Sequence, residues 1–245
     1  MPKVQLFVTC LVDSFFPEVG EAAVDVLERH GCTVEFPFDQ TCCGQPAFNV
    51  GYHDQARAMA EHTIKVLDAT DGTIVVPSGS CADMMINHSP ELFQPDDPIH
   101  DAAVRVARRV KEFSSFLVDD LGITDAGASC KGRTATYHPS CHGFRNLGIR
   151  NQPETLLDNV TGLERVELPD AETCCGFGGL FSVEMPEVSA AMMSTKLNNV
   201  EASGADLLVG VDVSCLMHLA GGLRRRSTKI EIKHIAEVLA EETRA

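Results

Sequence analysis

With 245 residues, 44% of them hydrophobic, the chain is long enough for one large domain or two modest ones and too apolar to be disordered. A chain of that size buries roughly 70–75% of its unfolded surface, so neither disulfides nor a metal is needed merely to hold a core together. Its 20 basic against 35 acidic residues leave a formal charge of −15, which disfavours nucleic acid and anionic lipid as partners and suits a basic protein partner.

Val4–Val8 is a short apolar run ending just before Cys10, the signature of a parallel strand buried on both faces. Extended to Val12, the run faintly imitates a signal peptide, but Thr9 and Asp13 break it and no small-residue cleavage site follows. No segment reaches the roughly 18 apolar residues of a membrane helix. A cytoplasmic protein with reduced thiols is therefore expected. Asp13 and Ser14 suit the cap of a helix whose apolar face is Val19, Ala22, Ala23, Val26 and Leu27, with Gly31 as its stop. Cys32–Phe36 reads as a second strand, Thr41–Gly44 as a loop, His53–Leu67 as a helix, Thr73–Val76 as a third strand and Pro77–Cys81 as the loop after it. One further helix is predicted from about Ile99 to Leu121.

The order then repeats. Thr134–Tyr137 is a strand before Cys141, Pro153–Val160 a helix, Leu163–Leu168 a strand and Cys174–Gly176 a loop. Val188–Ser203 is a helix, Leu207–Val211 a strand before Cys215, and Ile235–Glu241 a terminal helix. Even the closing segments echo, Val110–Phe113 against Ile232–Ile235. Strand–helix alternation implies parallel sheets with right-handed crossovers. The predicted fold class is α/β: two pseudo-symmetric lobes from an internal duplication, each a small, mostly parallel sheet flanked by helices. The turn-rich stretch Gly127–Gly132 marks the expected boundary, giving lobes 1–127 and 128–245.

The duplication is plainest in the thiols. Cys10, Cys42-Cys43-Gly44 and Cys81 are answered by Cys141, Cys174-Cys175-Gly176 and Cys215. The first gaps are 31 and 32 residues and the second are 37 and 39, and eight of the ten cysteines fall into the scheme. In open parallel sheets ligands bind beyond the carboxyl ends of the strands, where all these cysteines are predicted to lie. Clustered thiols imply metal, disulfide or redox chemistry. Structural zinc usually takes Cys-x-x-Cys, whereas adjacent cysteines diverge along the backbone and suit a cluster with several metal atoms. Glycines after each pair let the backbone turn tightly and approach a bulky ligand. The spacing thus favours iron–sulfur over zinc. A structural zinc protein serving assembly, a thiol–disulfide enzyme using a vicinal pair, and plain buried cysteines stay open as alternatives.

Phe16–Gly20, Thr41–Ala47, Pro77–Cys81, Cys174–Gly179 and His234–Leu239 resemble the cysteine-rich CCG domain family, over essentially the whole chain. Members include the B subunit of heterodisulfide reductase and the iron–sulfur subunits of glycolate oxidase and anaerobic glycerol-3-phosphate dehydrogenase. The likeness is greatest to its lactate-utilization branch. It implies a cytoplasmic iron–sulfur electron-transfer subunit of an L-lactate oxidation complex, with a ferredoxin-like iron–sulfur subunit and a third small subunit as partners. The cofactor expected is one or two iron–sulfur clusters of the four-iron type, on Cys10, Cys42, Cys43, Cys81, Cys141, Cys174, Cys175 and Cys215. Fuller members carry a fifth thiol per half, where this chain has Ser78 and Asp212. Both are hard donors, expected to support the site rather than ligate it.

His138 and His142 flank Cys141 and are candidates for cluster ligation or for taking the lactate hydroxyl proton. Gly176–Gly179 lacks the Lys-Ser/Thr of a phosphate loop, and no dinucleotide fingerprint is present. Arg224–Arg226 is a short basic run that suits either a partner or solvent, Met84-Met85 and Met192-Met193 read as core filler, and Cys32 and Cys130 fall outside the repeat.

Overall fold

A computed structural model describes residues 1–241 of the chain. Eight strands form two sheets. The first holds β1 (Lys3–Leu6), β2 (Thr33–Glu35), β3 (Thr73–Val76) and β4 (Val110–Glu112), in the order β2-β1-β3-β4. The second holds β5 (Ser129–His138), β6 (Thr161–Val166), β7 (Leu207–Gly210) and β8 (Glu231–His234), in the order β6-β5-β7-β8. Every pairing is parallel, and the registers match: Val4 opposes Thr73 as Ala135 opposes Leu207. The α/β fold of two similar lobes is thus as the sequence implied.

The central strands β3 and β7 carry no charged residue, as expected where helices cover both faces. Val75, Val76, Leu207, Leu208 and Val209 have no exposed surface. Each lobe has an apolar cluster of its own, and the two also share a core. Val4, Leu6, Leu27, Phe113 and Leu117 from the first half pack into one apolar cluster with Tyr137, Leu157, Val209, Ile235 and Leu239 from the second. The helix Pro17–Arg29 lies on the terminal helix Ile235–Ala240, and Arg29 donates to the Leu239 and Ala240 carbonyls at 3.0 and 3.2 Å. The carboxyl edges of the sheets meet where Gly79 touches Gly143. A Cβ on Gly79 would stand 3.2 Å from the Gly143 backbone, so any larger residue would push the two segments apart by a few tenths of an ångström.

Three expectations are corrected. The helix predicted over Ile99–Leu121 is broken: it runs His100–Arg109, gives way to β4, and resumes as a short helix at Phe113–Ser115 and a wide turn at Phe116–Asp120. Val110-Lys111-Glu112 contains no breaker; pairing with β3 is what draws it out of the helix. The matching edge strand β8 was foreshadowed only as an echo. Asp13 and Ser14 do not cap the helix that carries Val19 to Leu27. That helix, Pro17–Arg29, has Phe16 at its N-cap with no side-chain cap. Asp13 and Ser14 lie inside a separate helix, Cys10–Phe15, which Thr9 caps, its Oγ1 accepting from Val12 N at 3.4 Å. Within Gly127–Gly132, residues from Ser129 onward already belong to β5.

Glu112 ends β4 and caps the helix after it, accepting from Ser114 N at 2.9 Å and Ser115 N at 3.1 Å. The side chain is fully buried, and desolvation pushes its carboxyl from 4.5 up to about 7. A carboxyl raised in the folded state holds a proton that the unfolded chain has lost, so stability falls as pH rises from about 4.5 to 7, by about 3 kcal/mol in all. Glu112→Gln keeps an acceptor for both amides. Urea unfolding at pH 5.5 and pH 8.5 is expected to show a smaller loss of stability between the two in the variant than in the parent chain.

Candidate functional site

Each sheet builds its thiol site the same way. In the first lobe, Thr9 caps the helix that Cys10 begins. The loop after β2 carries Cys42 and Cys43 and turns at Gly44, whose φ is +90° and whose Cβ would lie 3.1 Å from the Ala56 carbonyl. After β3, Ser78 caps the helix Gly79–Asp83, accepting from Cys81 N at 3.3 Å. These turns bring four sulfurs together: Cys10 Sγ lies 3.7 Å from Cys42 Sγ, and Cys43 hydrogen-bonds to both Cys42 and Cys81. In the second lobe, Cys141 follows β5, Cys174 and Cys175 follow β6 with Gly176 at φ +88°, and Cys215 sits in the helix Val213–Arg226 after β7. Cys141 and Cys175 hydrogen-bond to Cys174, and Cys175 Sγ lies 3.2 Å from Cys215 Sγ. All eight repeat cysteines thus converge in two groups of four. Cys32 and Cys130 lie apart in the core, and all ten are free thiols.

Charge is unevenly shared within each group. Cys42 receives hydrogen bonds from Cys10 and Cys43 and is held well below the ordinary thiol range; Cys174 receives them from Cys141 and Cys175 and is lowered likewise. Their donors, Cys10, Cys43, Cys141 and Cys175, are pushed up by the same contacts and by burial. Backbone N–H groups of Gly44 and Gly176 also point at the two thiolates, at 3.5 and 3.4 Å. Each site is a thiolate with further thiols around it, a soft donor set that fits iron–sulfur or zinc and not a hard cation.

The two histidines part company. His138 is 2% exposed, neither ring nitrogen has a partner, and a ring nitrogen lies within 4.8 Å of Cys175 and Cys215 sulfurs. Burial drops it to about 3, so the ring is neutral and its lone pair is free to ligate. His142 instead gives Nδ1 to Asp83, 2.6 Å away, a buried carboxylate also held by Asn87 and Asn146. Asp83 raises His142 above its ordinary value.

Ser78 and Asp212 are helix caps bonded to each other. Asp212 Oδ2 accepts from Ser78 Oγ at 3.2 Å, from Ser80 N at 2.8 Å and from Ser140 Oγ at 3.5 Å, while its Oδ1 accepts from Ser214 N at 3.1 Å. One carboxylate therefore ties together segments that carry Cys81, Cys141 and Cys215. Sequence reasoning missed this junction, because nothing in two short loops 134 residues apart announces that they touch. It also missed Lys196, a fully buried cation whose Nζ donates to the Asp170 and Ala171 carbonyls beside the second thiol group.

The model of the CCG cysteine-rich domain matches twice, over residues 4–86 and 135–220. The chain belongs to the CCG cysteine-rich domain family. This CCG protein is 50% identical to lactate utilization protein A of an Exiguobacterium species, over 98% of both chains, and 50% identical to that of Shouchella clausii, over 97% and 98%. It is 48% identical to the Geobacillus kaustophilus protein of the same name, over 97% of this chain and 98% of that one. A crystal structure of a hypothetical protein from Helicobacter pylori shares the fold, with a TM-score of 0.68 at 11% identity. The likeness covers 99% of this chain and half the length of that one.

Asp212 gives the site a mechanical test. Asp212→Ala leaves the buried Ser80 N–H and Ser78 hydroxyl without their acceptor, at about 1–3 kcal/mol each. Urea unfolding is expected to show a loss of several kcal/mol for Asp212→Ala and a smaller one for Asp212→Asn, which keeps one oxygen.

Proposed function

We propose that the chain is an iron–sulfur electron-transfer subunit of a cytoplasmic L-lactate oxidation complex, partnered by a ferredoxin-like iron–sulfur subunit and a third small subunit. The observation that carries this reading is the convergence of all eight repeat cysteines into two soft four-sulfur sites, in a chain that matches lactate utilization proteins A end to end. In this reading the lobes divide at 127/128. Among the described residues no helix is long and apolar enough to cross a membrane.

Cys10, Cys42, Cys43 and Cys81 would hold one cluster, and Cys141, Cys174, Cys175 and Cys215 the other, with His138 as a further donor to the second. The bound clusters would supply one-electron transfer. The chain's own contribution is to gather the thiolates, shield them and set their electrostatics. Amide N–H groups of Gly44, Gly176 and Phe177 aimed at sulfur, with buried Lys196, favour added negative charge and so the reduced state. A cavity of about 320 Å³ borders all four first-lobe thiols, room for more than a single ion.

One observation favours a second reading. The 3.7 Å between Cys10 and Cys42 sulfurs is close to the edge of a tetrahedron with metal–sulfur bonds of about 2.3 Å, about 3.8 Å, which suits one zinc ion. Purification without oxygen separates the two. The expected product is brown, absorbs broadly across the visible range and contains iron with acid-labile sulfide. Cys42→Ser and Cys174→Ser are each expected to remove about half of that iron. Colourless protein with stoichiometric zinc would replace the electron-transfer reading by a structural one.

A further inference from the structure

Two cavities flank the segment that follows the second Cys-Cys-Gly, and Phe177 and Ser182 line both. They differ in charge. The cavity against the first-lobe thiols presents the Asp212 carboxylate and no Lys, Arg or His. The other, about 380 Å³, presents Arg225 and His218 and no carboxylate, between walls that include Met193 and Met217. On a chain of net charge −15, a cavity with cationic lining and no acid is a place where a small anion gains.

Both polar groups are free to bind. Arg225 makes no ion pair or hydrogen bond with any described residue, while neighbouring Arg226 is tied to Asn198, Glu201 and Ser194. Ser189 Oγ donates its proton to the Gly176 carbonyl at 2.7 Å. Its 3.4 Å contact with His218 Nε2 therefore requires Nε2–H to be the donor, which leaves Nδ1 as an acceptor without a protein partner among the described residues. Burial holds the ring below its ordinary value of 6.5, in keeping with that neutral form. The ring also packs on Phe177, two residues past Cys175, with centroids 5.7 Å apart.

The repeat does not demand these residues. Counting from Cys81 and Cys215, the first-lobe counterpart of His218 is Met84. Gly44 packs on the Ala56 carbonyl as Gly176 does on that of Ser189, so Ala56 stands where the second lobe has Ser189. The first lobe folds with two apolar side chains there; the second has acquired a hydroxyl and an imidazole beside its thiol loop.

We propose that this cavity binds a small 2-hydroxy acid, its carboxylate on Arg225 and its hydroxyl donating to His218 Nδ1. The assignment rests on the reading of the chain as part of a lactate oxidation system, and it names where in that system the substrate class is held.

Calorimetric titration of the intact, anaerobically purified protein with L-lactate tests it, with acetate and lactamide as probes lacking the hydroxyl and the charge. L-Lactate is expected to bind more tightly than either. Loss of a charge-assisted pair is worth about tenfold to a hundredfold, so Arg225→Gln is expected to weaken lactate binding by about that factor. Arg224→Gln, whose side chain borders a different cavity, is expected to leave it unchanged. His218→Leu is expected to erase the preference for lactate over acetate. Arg225 is exposed, so its replacement leaves the fold intact, and a thermal melt checks this. Absence of lactate binding, or equal binding by Arg225→Gln, overturns the proposal. Iron and sulfide assayed on the same sample read the electron-transfer assignment separately: an iron-replete protein that ignores lactate loses only the cavity, and a zinc protein that binds lactate through Arg225 loses only the electron transfer.

Discussion

Parallel pairing makes every strand of a sheet leave at the same edge, and this constraint underlies the whole site. Because β1, β2 and β3 run the same way, the loops carrying Cys10, Cys42-Cys43 and Cys81 are delivered to one rim despite gaps of 31 and 37 residues. The strand order reverses between β1 and β3, which opens a crevice there, and the flanking thiols face it. Repeating the order in the second sheet repeats the result. Local devices then finish the positioning: Thr9, Ser78 and Asp212 cap the helices that begin at or near Cys10, Cys81 and Cys215, and a left-handed glycine turns the chain after each Cys-Cys pair.

The duplicated halves have diverged where charge is handled. Phe7 in the first lobe becomes His138 in the second, and Ser78 becomes Asp212. The first thiol group opens toward solvent, with Cys10 exposed, whereas Cys175 and Cys215 are 2% and 7% exposed. Burial strengthens each electrostatic contact in the second lobe, including the cation of Lys196. Two similar scaffolds therefore present one sulfur group that reaches the surface at Cys10 and one with two buried and two half-buried sulfurs. A shared core and the Asp212 carboxylate hold them in fixed relation, as a relay between two centres would require.

The sequence showed what is periodic and hid what is not. Matched cysteine spacing and strand–helix alternation placed six strands, the parallel sheets and the eight converging sulfurs. The edge strands β4 and β8 escaped because three or four residues carry too little pattern to outweigh a neighbouring helix. The helix Cys10–Phe15, capped by Thr9, escaped because six residues carry too little periodicity, so Asp13 and Ser14 inside it read as the cap of the longer helix Pro17–Arg29 that follows. Contacts across the pseudo-symmetric junction, Asp212 with Ser78 and Ser80, or Asp83 with His142, had no local signature at all. His138 and His142 are equal candidates in the sequence, as flanks of Cys141; the burial of His138 without hydrogen-bond partners, which separates them, is visible in the fold alone.

X-ray absorption at the iron edge of anaerobically prepared protein addresses the central claim most directly. Two nests of thiolates gripping inorganic clusters predict a first shell dominated by sulfur together with iron–iron scattering. A sample without iron, or iron surrounded by oxygen and nitrogen with no second iron nearby, would contradict the account.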